Sequence, residues 1–369
     1  MSGKGTRSLR FESQTGSLRI HTADAPPEPG PGEALIRPHR VAITATELAI
    51  VGGRLAPRFS GVLGHEFVGT VERVNLPEDA PPLLRDKHAL KGKRVVAGPI
   101  IACGTCDMCR GGLAAHCRSR VVVGLAGRDG VCADRITVPL ASLQAVPDVV
   151  SDDQAVLAYS VVRAAHASQV TRAAGKGFIT VITDGGPADA ALALLIARVL
   201  SLSNRSTRVL SSSAAALGVC ERWGLKHRPI EEAGRRQDQD VVVVCAPPRD
   251  AGVGVRTATQ MVRPRGTVVL VSPTLLEPLP PGKPFPDAAD EGGVRAPDLT
   301  PLMVGEIQLV GCRDGPVAAS ALSEALGLLQ PGGGVDVSGL IPKRVRLDDA
   351  PAAIRSALEG DALGLIVEL

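Results

Sequence analysis

The chain has 369 residues, of which 44% are hydrophobic and 21% charged, and its net charge is +3. This length exceeds one ordinary core and predicts two domains. The composition excludes a disordered chain, and the small net charge gives no reason to expect binding to nucleic acid or to a membrane. Aromatic residues make up only 2% of the chain, which disfavours the base-stacking surfaces of single-stranded nucleic acid binders.

No run of about 18 apolar residues occurs without a charge or a glycine, and the first residues lack the apolar segment of a signal peptide. We therefore expect no transmembrane helix and a cytoplasmic location. In that compartment clustered cysteines are more often metal ligands than disulfides.

The first 150 residues or so have the pattern of strands joined by turns. Short apolar or alternating runs, separated by glycine, proline and aspartate, predict strands at residues 33–43, 67–74, 93–101 and 134–140. Proline-rich loops are expected at residues 25–33 and 75–84.

From about residue 151 the pattern changes to helices that alternate with strands. Ser151, followed by acidic residues, predicts the start of a helix over residues 151–170. Further strands are predicted at 178–183, 207–212, 240–246, 266–272 and 307–312, and helices at 188–201, 214–224 and 319–329. Such apolar strands between helices indicate a parallel sheet covered on both faces. A surface loop is expected from Pro273 to Pro301.

Four cysteines lie close together in the segment CGTCDMCRGGLAAHC. Cys103, Cys106, Cys109 and Cys117 supply the four thiolates that a tetrahedral zinc ion takes, at a small cost in loop-closure entropy. The alternative is free thiols or disulfides in a loop, and the spacing in a cytosolic chain favours metal. The isolated Cys132, Cys220, Cys245 and Cys312 are expected to be small buried hydrophobic residues.

The cysteine segment lies between a β-rich first half and a nucleotide-type second half, and this arrangement resembles the zinc-containing medium-chain alcohol dehydrogenases. LGHEFVGTVERV, GVCADRITVP and IPKRVRLDDAPAAI are similar to segments of that family. The resemblance implies an α/β fold with an active cleft between two domains. It also implies that the four-cysteine zinc, one per chain, is structural, because a closed tetrahedron leaves no position for substrate.

The resemblance divides the chain into three parts. They are a GroES-like, β-rich catalytic domain at 1–159 with the zinc lobule at about 100–120, a Rossmann domain with a doubly wound parallel sheet at 160–311, and a C-terminal segment at 312–369 that returns to the first domain.

The residues that match the family's catalytic zinc site are altered. Thr44 stands in place of the first cysteine ligand, His65 matches the histidine ligand beside Glu66, and Tyr159 stands near the third ligand. Hydroxyl oxygens are poor zinc ligands compared with thiolate, imidazole or carboxylate. We therefore expect that the catalytic zinc is lost. A remodelled site of Glu47, His65 and Glu66 is the alternative.

Two hydroxyl groups remain candidates for catalysis. Thr46 matches the residue that relays the alcohol proton in the family, and a hydroxyl can both donate and accept. Tyr159 could polarise a carbonyl as a hydrogen-bond donor, or it could serve packing alone.

The dinucleotide fingerprint Gly-x-Gly-x-x-Gly is degraded although its strand–turn–helix context is present. The matching segment runs from Asp184 to Asp189 through Gly185, Gly186 and Pro187, with Gly186 in register and aspartates at the two other glycine positions. Pyrophosphate is normally held by the backbone N–H groups and dipole at this helix N-terminus, so Asp189 would compete with it.

The second strand ends at Ser211, where NAD-using relatives place an acid against the ribose. Without that carboxylate, a 2′-phosphate would not be repelled, and Arg205 and Arg208 are the candidates to bind it. NADP(H) is therefore favoured over NAD(H), unless Ser211 serves only a strand-to-helix turn.

Two functions follow. The first is an oxidoreductase that acts with NADP(H) or NAD(H) on a small alcohol, aldehyde or ketone, and the second is a non-catalytic relative that serves as a binding or assembly protein. The resemblance also implies a homo-oligomer, dimer or tetramer, with a small-molecule substrate as partner.

Overall fold

The structure is a computed structural model. It describes residues 5–55, 60–175, 177–234, 236–248, 251–275, 298–315 and 317–369. The chain forms two compact units. Unit 1 comprises Met1–Val162, Pro316–Gly360 and Gly364–Leu369, and unit 2 comprises Arg163–Gly315 and Asp361–Leu363.

The strands within the described residues, in chain order, are β1 Thr6–Glu12, β2 Ser17–Ala23, β3 Glu33–Ile43, β4 Gly61–Val62, β5 Glu66–Asn75, β6 Arg94–Ala97, β7 Ile100–Ile101, β8 Val121–Val123, β9 Gly127–Arg128, β10 Ile136–Pro139, β11 Leu143–Ala145, β12 Ile179–Thr183, β13 Thr207–Ser211, β14 Lys226–Pro229, β15 Gln239–Cys245, β16 Val262–Val271, β17 Gln308–Cys312, β18 Arg344–Arg346 and β19 Leu365–Glu368.

The helices in the same part of the chain are α1 Ala45–Val51, α2 Pro82–Arg85, α3 Asp107–Arg110, α4 Asp152–Ala155, α5 Ala158–Ala174, α6 Pro187–Ser201, α7 Ala214–Arg222, α8 Ala251–Thr259, α9 Thr300–Val304, α10 Ala319–Leu329 and α11 Ala350–Glu359. None of the helices in the described residues is long and apolar enough to cross a membrane.

Unit 1 is built around β3. A sheet of seven strands has the order β11–β6–β5–β3–β19–β18, with β10 also paired to β3, and two three-stranded sheets, β2–β1–β4 and β7–β8–β9, lie beside it. Residues 34–36 and 41–43 of β3 are buried, and because successive side chains point to opposite faces, both faces of the strand are covered near each end. β3 ends directly before α1, and β5, which begins at Glu66, pairs antiparallel with β3. This pairing places Thr44 to Glu47 close to His65 and Glu66.

The C-terminal segment completes this sheet. β19 pairs antiparallel with β3 and parallel with β18. In α11 the residues Ala350, Ala353, Ile354 and Ala357 are buried, a helical spacing that gives one apolar face. That face covers α1 and β19.

Unit 2 holds a six-stranded parallel sheet with the order β14–β13–β12–β15–β16–β17. Every residue of β12 is buried, as expected for a central strand covered on both faces. The chain runs outward from β12 to β14 and then crosses to β15, so the order reverses between β12 and β15. In doubly wound sheets ligands bind outside the carboxyl ends of the strands at this point. The expected α/β class, a β-rich domain with a doubly wound parallel sheet, is confirmed.

Several elements differ in detail from the sequence prediction. Residues 93–101 form two strands, β6 and β7, and the helix expected over 151–170 is divided into α4 and α5. Ser151 does begin the first of these, because its hydroxyl accepts the Gln154 N–H at 3.3 Å. A short helix, α2, begins inside the Pro-rich stretch at 75–84 and ends at Arg85. Most of the loop expected from Pro273 to Pro301 lies outside the described residues, and α9 begins inside its end.

Candidate functional site

Three charged side chains are buried together in unit 1. Glu47, His65 and Glu66 are each at most 2% exposed. His65 Nδ1 lies 2.5 Å from Glu47 Oε1, and His65 Nε2 lies 3.5 Å from Glu66 Oε1. The imidazole therefore lies between two carboxylates, one on each ring nitrogen, and these three residues are called the carboxylate–imidazole cluster.

The start of α1 positions one end of this cluster. Glu47 Oε2 accepts the Thr44 N–H at 2.9 Å and the Thr44 hydroxyl at 3.2 Å. A carboxylate that reaches back in this way satisfies a donor that the helix itself leaves unpaired. Gly64, with φ of +94°, turns the chain directly before His65, and a Cβ on it would lie 3.0 Å from the Val41 side chain. Glycine is therefore required at this turn.

The start of α5 positions the other end. The Ser160 N–H donates to Glu66 Oε2 at 3.0 Å, and the Ser160 hydroxyl donates to Glu66 Oε1 at 2.7 Å. Helix N-termini carry free N–H groups and a positive dipole end, both of which stabilise a carboxylate. Tyr159 is 3% exposed and meets the His65 ring edge-on, with ring centroids 6.4 Å apart. Sequence reasoning missed Ser160, because a serine next to a ligand position carries no signal of its own.

The cluster is charged at neutral pH. Burial alone would lower the pKa of His65, but attraction by Glu47, with support from Glu66, raises it to about 10. Burial would raise the pKa of Glu47, yet the charge and hydrogen bond of His65 lower it overall. Glu47 is thus ionised and His65 is protonated on both nitrogens, so the imidazole has no free lone pair.

This donor set does not fit a catalytic zinc. The Thr44 hydroxyl is directed to Glu47, and the cluster is an extended row in which His65 separates the carboxylates. Among the residues that the structure describes, the four lobule cysteines are the only group of three or more His, Cys, Asp or Glu with converging ligand atoms. We therefore derive no step through a metal at His65.

Two more residues of interest are buried near the cluster. Thr46 is 1% exposed in α1, next to Glu47. Cys132 is fully buried, and a Cβ on Gly64 would lie 3.4 Å from its own Cβ. Burial, with the nearby Glu47, raises the pKa of the Cys132 thiol, which keeps it protonated. Cys132 is the small buried residue that the sequence predicts, with a position beside the cluster that nothing in the sequence indicates.

The four lobule cysteines converge on one point. Their Sγ atoms all lie within 4.8 Å of one another, and the Cys103–Cys109 and Cys106–Cys117 pairs are each 3.9 Å apart. A tetrahedral ion with Zn–S bonds of about 2.3 Å requires S–S separations of roughly 3.8 Å. Backbone hydrogen bonds from Thr105 and Cys106 lower the pKa of the Cys103 thiol to about 6, which favours the thiolate. The geometry and the ligand type fit a structural zinc ion.

In unit 2 the turn between β12 and α6 stands where a dinucleotide's pyrophosphate would bind. Gly186 has φ of +110° and precedes Pro187, the first residue of α6. Asp189 is fully buried, and its Oδ2 lies 2.7 Å from the position that a Cβ on Gly185 would take. The backbone fits an approaching phosphate, but the Asp189 carboxylate is folded into the same turn and opposes it.

A cavity of about 220 Å³ opens at the reversal point of this sheet. It is lined by residues after β12, at the end of β15 and on α8, namely Ile182, Asp184, Gly185, Val244, Cys245, Ala246, Val253 and Gly254. Its place is the one at which doubly wound sheets bind nucleotides. Its volume is below the roughly 300–1,000 Å³ of most ligand pockets, so it would hold only part of a dinucleotide.

Two residues after the end of β13, the start of α7 already holds a carboxylate from elsewhere in the chain. Ser211 Oγ accepts the Ser213 N–H at 3.1 Å, and Asp361 accepts the Ser213 hydroxyl at 2.9 Å and the Ala215 N–H at 2.8 Å. Arg208 donates to the Thr180 hydroxyl at 2.9 Å, near the opposite end of its strand. The structure therefore brings Ser211, but not Arg208, to the carboxyl edge of the sheet.

Comparison with known proteins supports this picture. Residues 30–148 match the model of the alcohol dehydrogenase GroES-like domain. The chain is 37% identical to the L-threonine 3-dehydrogenase of Streptomyces avermitilis over 122 residues, or 32% of this chain and 33% of that protein. With the enzyme of that name from Mesorhizobium japonicum it shares 26% identity over 233 residues, 62% of this chain and 63% of the other. The chain thus spans less than two thirds of the length of these relatives.

The structural likeness extends over the whole chain. A zinc-binding dehydrogenase from Sinorhizobium meliloti, solved with bound NADP, superposes with a TM-score of 0.77 at 21% identity, covering 100% of both chains. At this identity the likeness establishes the fold.

Proposed function

We propose that this chain, a divergent member of the zinc-containing medium-chain dehydrogenase/reductase family, is an oxidoreductase that interconverts a small alcohol and its aldehyde or ketone. A nicotinamide cofactor, NADP(H) or NAD(H), supplies or takes up the hydride when it is bound. The observation that carries the proposal is the buried carboxylate–imidazole cluster. Such charge is costly to bury, and perturbed ionisable groups of this kind concentrate at functional sites.

The protein's own groups would handle the proton. Oxidation of an alcohol releases one hydride from carbon and one proton from oxygen. The Thr46 hydroxyl can accept that proton while it donates its own to a water molecule, which carries it to solvent. In the reverse direction the Tyr159 hydroxyl would donate to the carbonyl oxygen. The positive charge of His65, fixed by Glu47, would stabilise negative charge that develops on that oxygen.

Cofactor binding would use the turn before α6 and the cavity beside it. Gly186 leaves open space where a side chain would begin, and α6 presents its N-terminus there, whereas the space beside Gly185 is filled by Asp189 and Pro247. Pro187 has no N–H to contribute, which leaves fewer donors than a full fingerprint offers. One zinc ion per chain, held by the four lobule cysteines, would be structural. Such a site requires reduced thiols, consistent with the cytoplasm as the proposed location.

Direct binding and turnover test the proposal. The purified chain should bind NADH or NADPH in a calorimetric titration and oxidise or reduce members of a panel of small alcohols, aldehydes and ketones. Tyr159→Phe, which removes only the hydroxyl, should lower kcat by about 10²-fold or more, the usual contribution of a general acid. Tyr159→Phe without effect on kcat would refute the role of that hydroxyl. No cofactor binding at millimolar concentration would refute the dehydrogenase.

A second function is favoured by one observation. The Asp189 carboxylate lies in the turn that would bind pyrophosphate, as expected if the nucleotide site has decayed. The chain would then be a non-catalytic relative that serves in binding or assembly. The same titration separates the two, since this alternative requires that neither cofactor binds.

We also propose that the chain forms a homo-oligomer through β17. Within the described residues β17 pairs only with β16, at the edge of the sheet. Leu299, Met303, Val304 and Leu309, on and beside this edge, are 45–81% exposed. Two copies of an edge strand can pair antiparallel about a twofold axis, which would cover these side chains. Light scattering should give at least a dimer, and Leu309→Lys should yield monomers.

A further inference from the structure

We propose that Asp361 is a specificity-determining residue that selects a dinucleotide without a 2′-phosphate, so that NAD(H) is the preferred cofactor. The inference rests on the dehydrogenase function proposed above. It also reverses the preference for NADP(H) that Ser211 alone suggests, because the carboxylate missing from the end of β13 is supplied by a distant part of the chain.

The first step concerns the donors at the start of α7. The Ala215 N–H and the Ser213 hydroxyl are the groups that a phosphate placed here would use, and both donate to Asp361, at 2.8 Å and 2.9 Å. The Ser213 hydroxyl in turn accepts the Ala216 N–H at 3.1 Å. The helix cap is therefore complete, and its anion is a carboxylate of the protein itself.

The second step concerns position. β13 is the second strand of the sheet in chain order and lies next to β12, and α7 follows it directly. In doubly wound nucleotide-binding sheets the acid that meets the adenosine ribose hydroxyls stands at the end of this strand. Asp361 binds Ser213, two residues beyond the end of β13, although it is 148 residues from Ser213 in sequence. It can thus meet a free 2′-hydroxyl, which donates a hydrogen bond, but it repels a 2′-phosphate.

The third step concerns compensating cations. Arg208, the nearest arginine before Ser211, is directed to Thr180 and is therefore not available to a phosphate at the α7 end. Arg228 on β14 is exposed and pairs in register with Leu210, one residue before Ser211. If attraction by Arg228 outweighs repulsion by Asp361 at the 2′-phosphate, NADPH will bind the unaltered protein as tightly as NADH, and this result would overturn the proposal.

The experiment compares cofactor binding by the full chain and by Asp361→Ser. Dissociation constants are measured by calorimetry for NADH, NADPH and the fragments ADP-ribose and 2′,5′-ADP. The unaltered chain should prefer NADH. Asp361→Ser should bind NADPH and 2′,5′-ADP about 3- to 30-fold more tightly, the range of an anion's interaction with a helix N-terminus, while its affinity for NADH changes far less.

A matched control is Glu359→Gln, which removes the same charge two residues earlier in the chain. Glu359 is the last residue of α11 and is exposed, so its loss should change neither cofactor's affinity by more than about twofold. If Glu359→Gln and Asp361→Ser raise the affinity for NADPH equally, the effect comes from net charge alone, and the role of Asp361 is overturned. Absence of binding by every ligand would instead refute the dehydrogenase itself, and this inference with it. Thermal melts of each variant confirm that the folded fraction is the same.

Discussion

Asp189→Asn should strengthen cofactor binding, because it removes a negative charge from the turn that would receive the pyrophosphate. Asp189 Oδ2 lies 2.7 Å from the Cβ position of Gly185 and 4.0 Å from that of Gly186. A phosphate over this turn would stand about 4 Å from the carboxylate. At an effective dielectric near 20, two unit charges at that distance repel by about 4 kcal/mol.

Relaxation of the side chain reduces this figure. Asp189 can rotate and solvent can enter when a ligand binds, and both weaken the repulsion in the unaltered chain. We therefore expect the removal of the charge in Asp189→Asn to improve the binding free energy by about one third to two thirds of that figure. This corresponds to roughly 1.4–2.7 kcal/mol, or a gain of about 10- to 100-fold in affinity for NADH and ADP-ribose. Asparagine has the same shape as aspartate and can still accept hydrogen bonds within the turn.

Isothermal calorimetry at two salt concentrations provides the assay. The gain should change little with ionic strength, because a buried carboxylate about 4 Å from the phosphate lies well inside the Debye length of about 10 Å at 0.1 M. Glu221→Gln, which removes an exposed charge from the far end of α7, is the matched control and should change affinity little. An affinity for NADH that stays within twofold in folded Asp189→Asn would show that the carboxylate does not oppose the pyrophosphate.

Three further predictions concern the ionisable clusters. Glu47→Gln leaves a buried imidazolium without its main partner and should lower the free energy of unfolding by about 3–5 kcal/mol at pH 7, measured by urea denaturation. The control is Glu72→Gln, which breaks a partly exposed ion pair and should lower the free energy of unfolding by under about 1 kcal/mol. Because the pKa of His65 is raised to about 10, the stability that His65 adds to the folded state is complete below pH 6.5, the ordinary pKa of histidine, and is lost as the pH rises through about 10. The pKa of Glu47 is lowered, so the stability that Glu47 adds is lost as the pH falls below the ordinary pKa of glutamate. A flat stability between pH 7 and 10 in the unaltered chain would contradict this. Cys106→Ser should abolish the zinc content of one ion per chain, measured by atomic absorption, whereas Cys220→Ser, in the buried core of unit 2, should leave it intact.

The elements with strong periodicity could be predicted from the sequence. The strands of unit 2 other than β14 follow as apolar runs between helices, and α10 and β3 have the predicted bounds. β14 is polar and largely exposed, so no apolar run indicates it. The division of the helix expected over 151–170 into α4 and α5 is harder to predict, because the apolar residues of this segment keep one helical period throughout. No pattern in the sequence indicates the hairpin of β1 and β2, because β2 is mostly exposed and shows little alternation of apolar residues.

The site could be predicted only in part, for a physical reason. Thr44, Glu47, His65 and Glu66 lie in two short segments that neighbouring strands bring together, and the resemblance of these segments to family motifs points to all of them. Ser160 and Asp361 act across 94 and 148 residues of sequence, and nothing in a serine or an aspartate reveals which distant helix end it will meet. Long-range hydrogen bonds of this kind depend on the complete packing of a unit.

The compactness of the cysteine lobule bears on how the chain assembles. All four sulfur atoms come from Cys103–Cys117, so a metal ion can be captured by a peptide of fifteen residues before either unit has packed. An ion that also binds the unfolded chain adds less to overall stability than its affinity suggests, because only the difference between the two states counts. We therefore expect the lobule to bind its ion and fold early during synthesis, before β7 and β8 pair beside it. The ion should be released only when this segment unfolds locally.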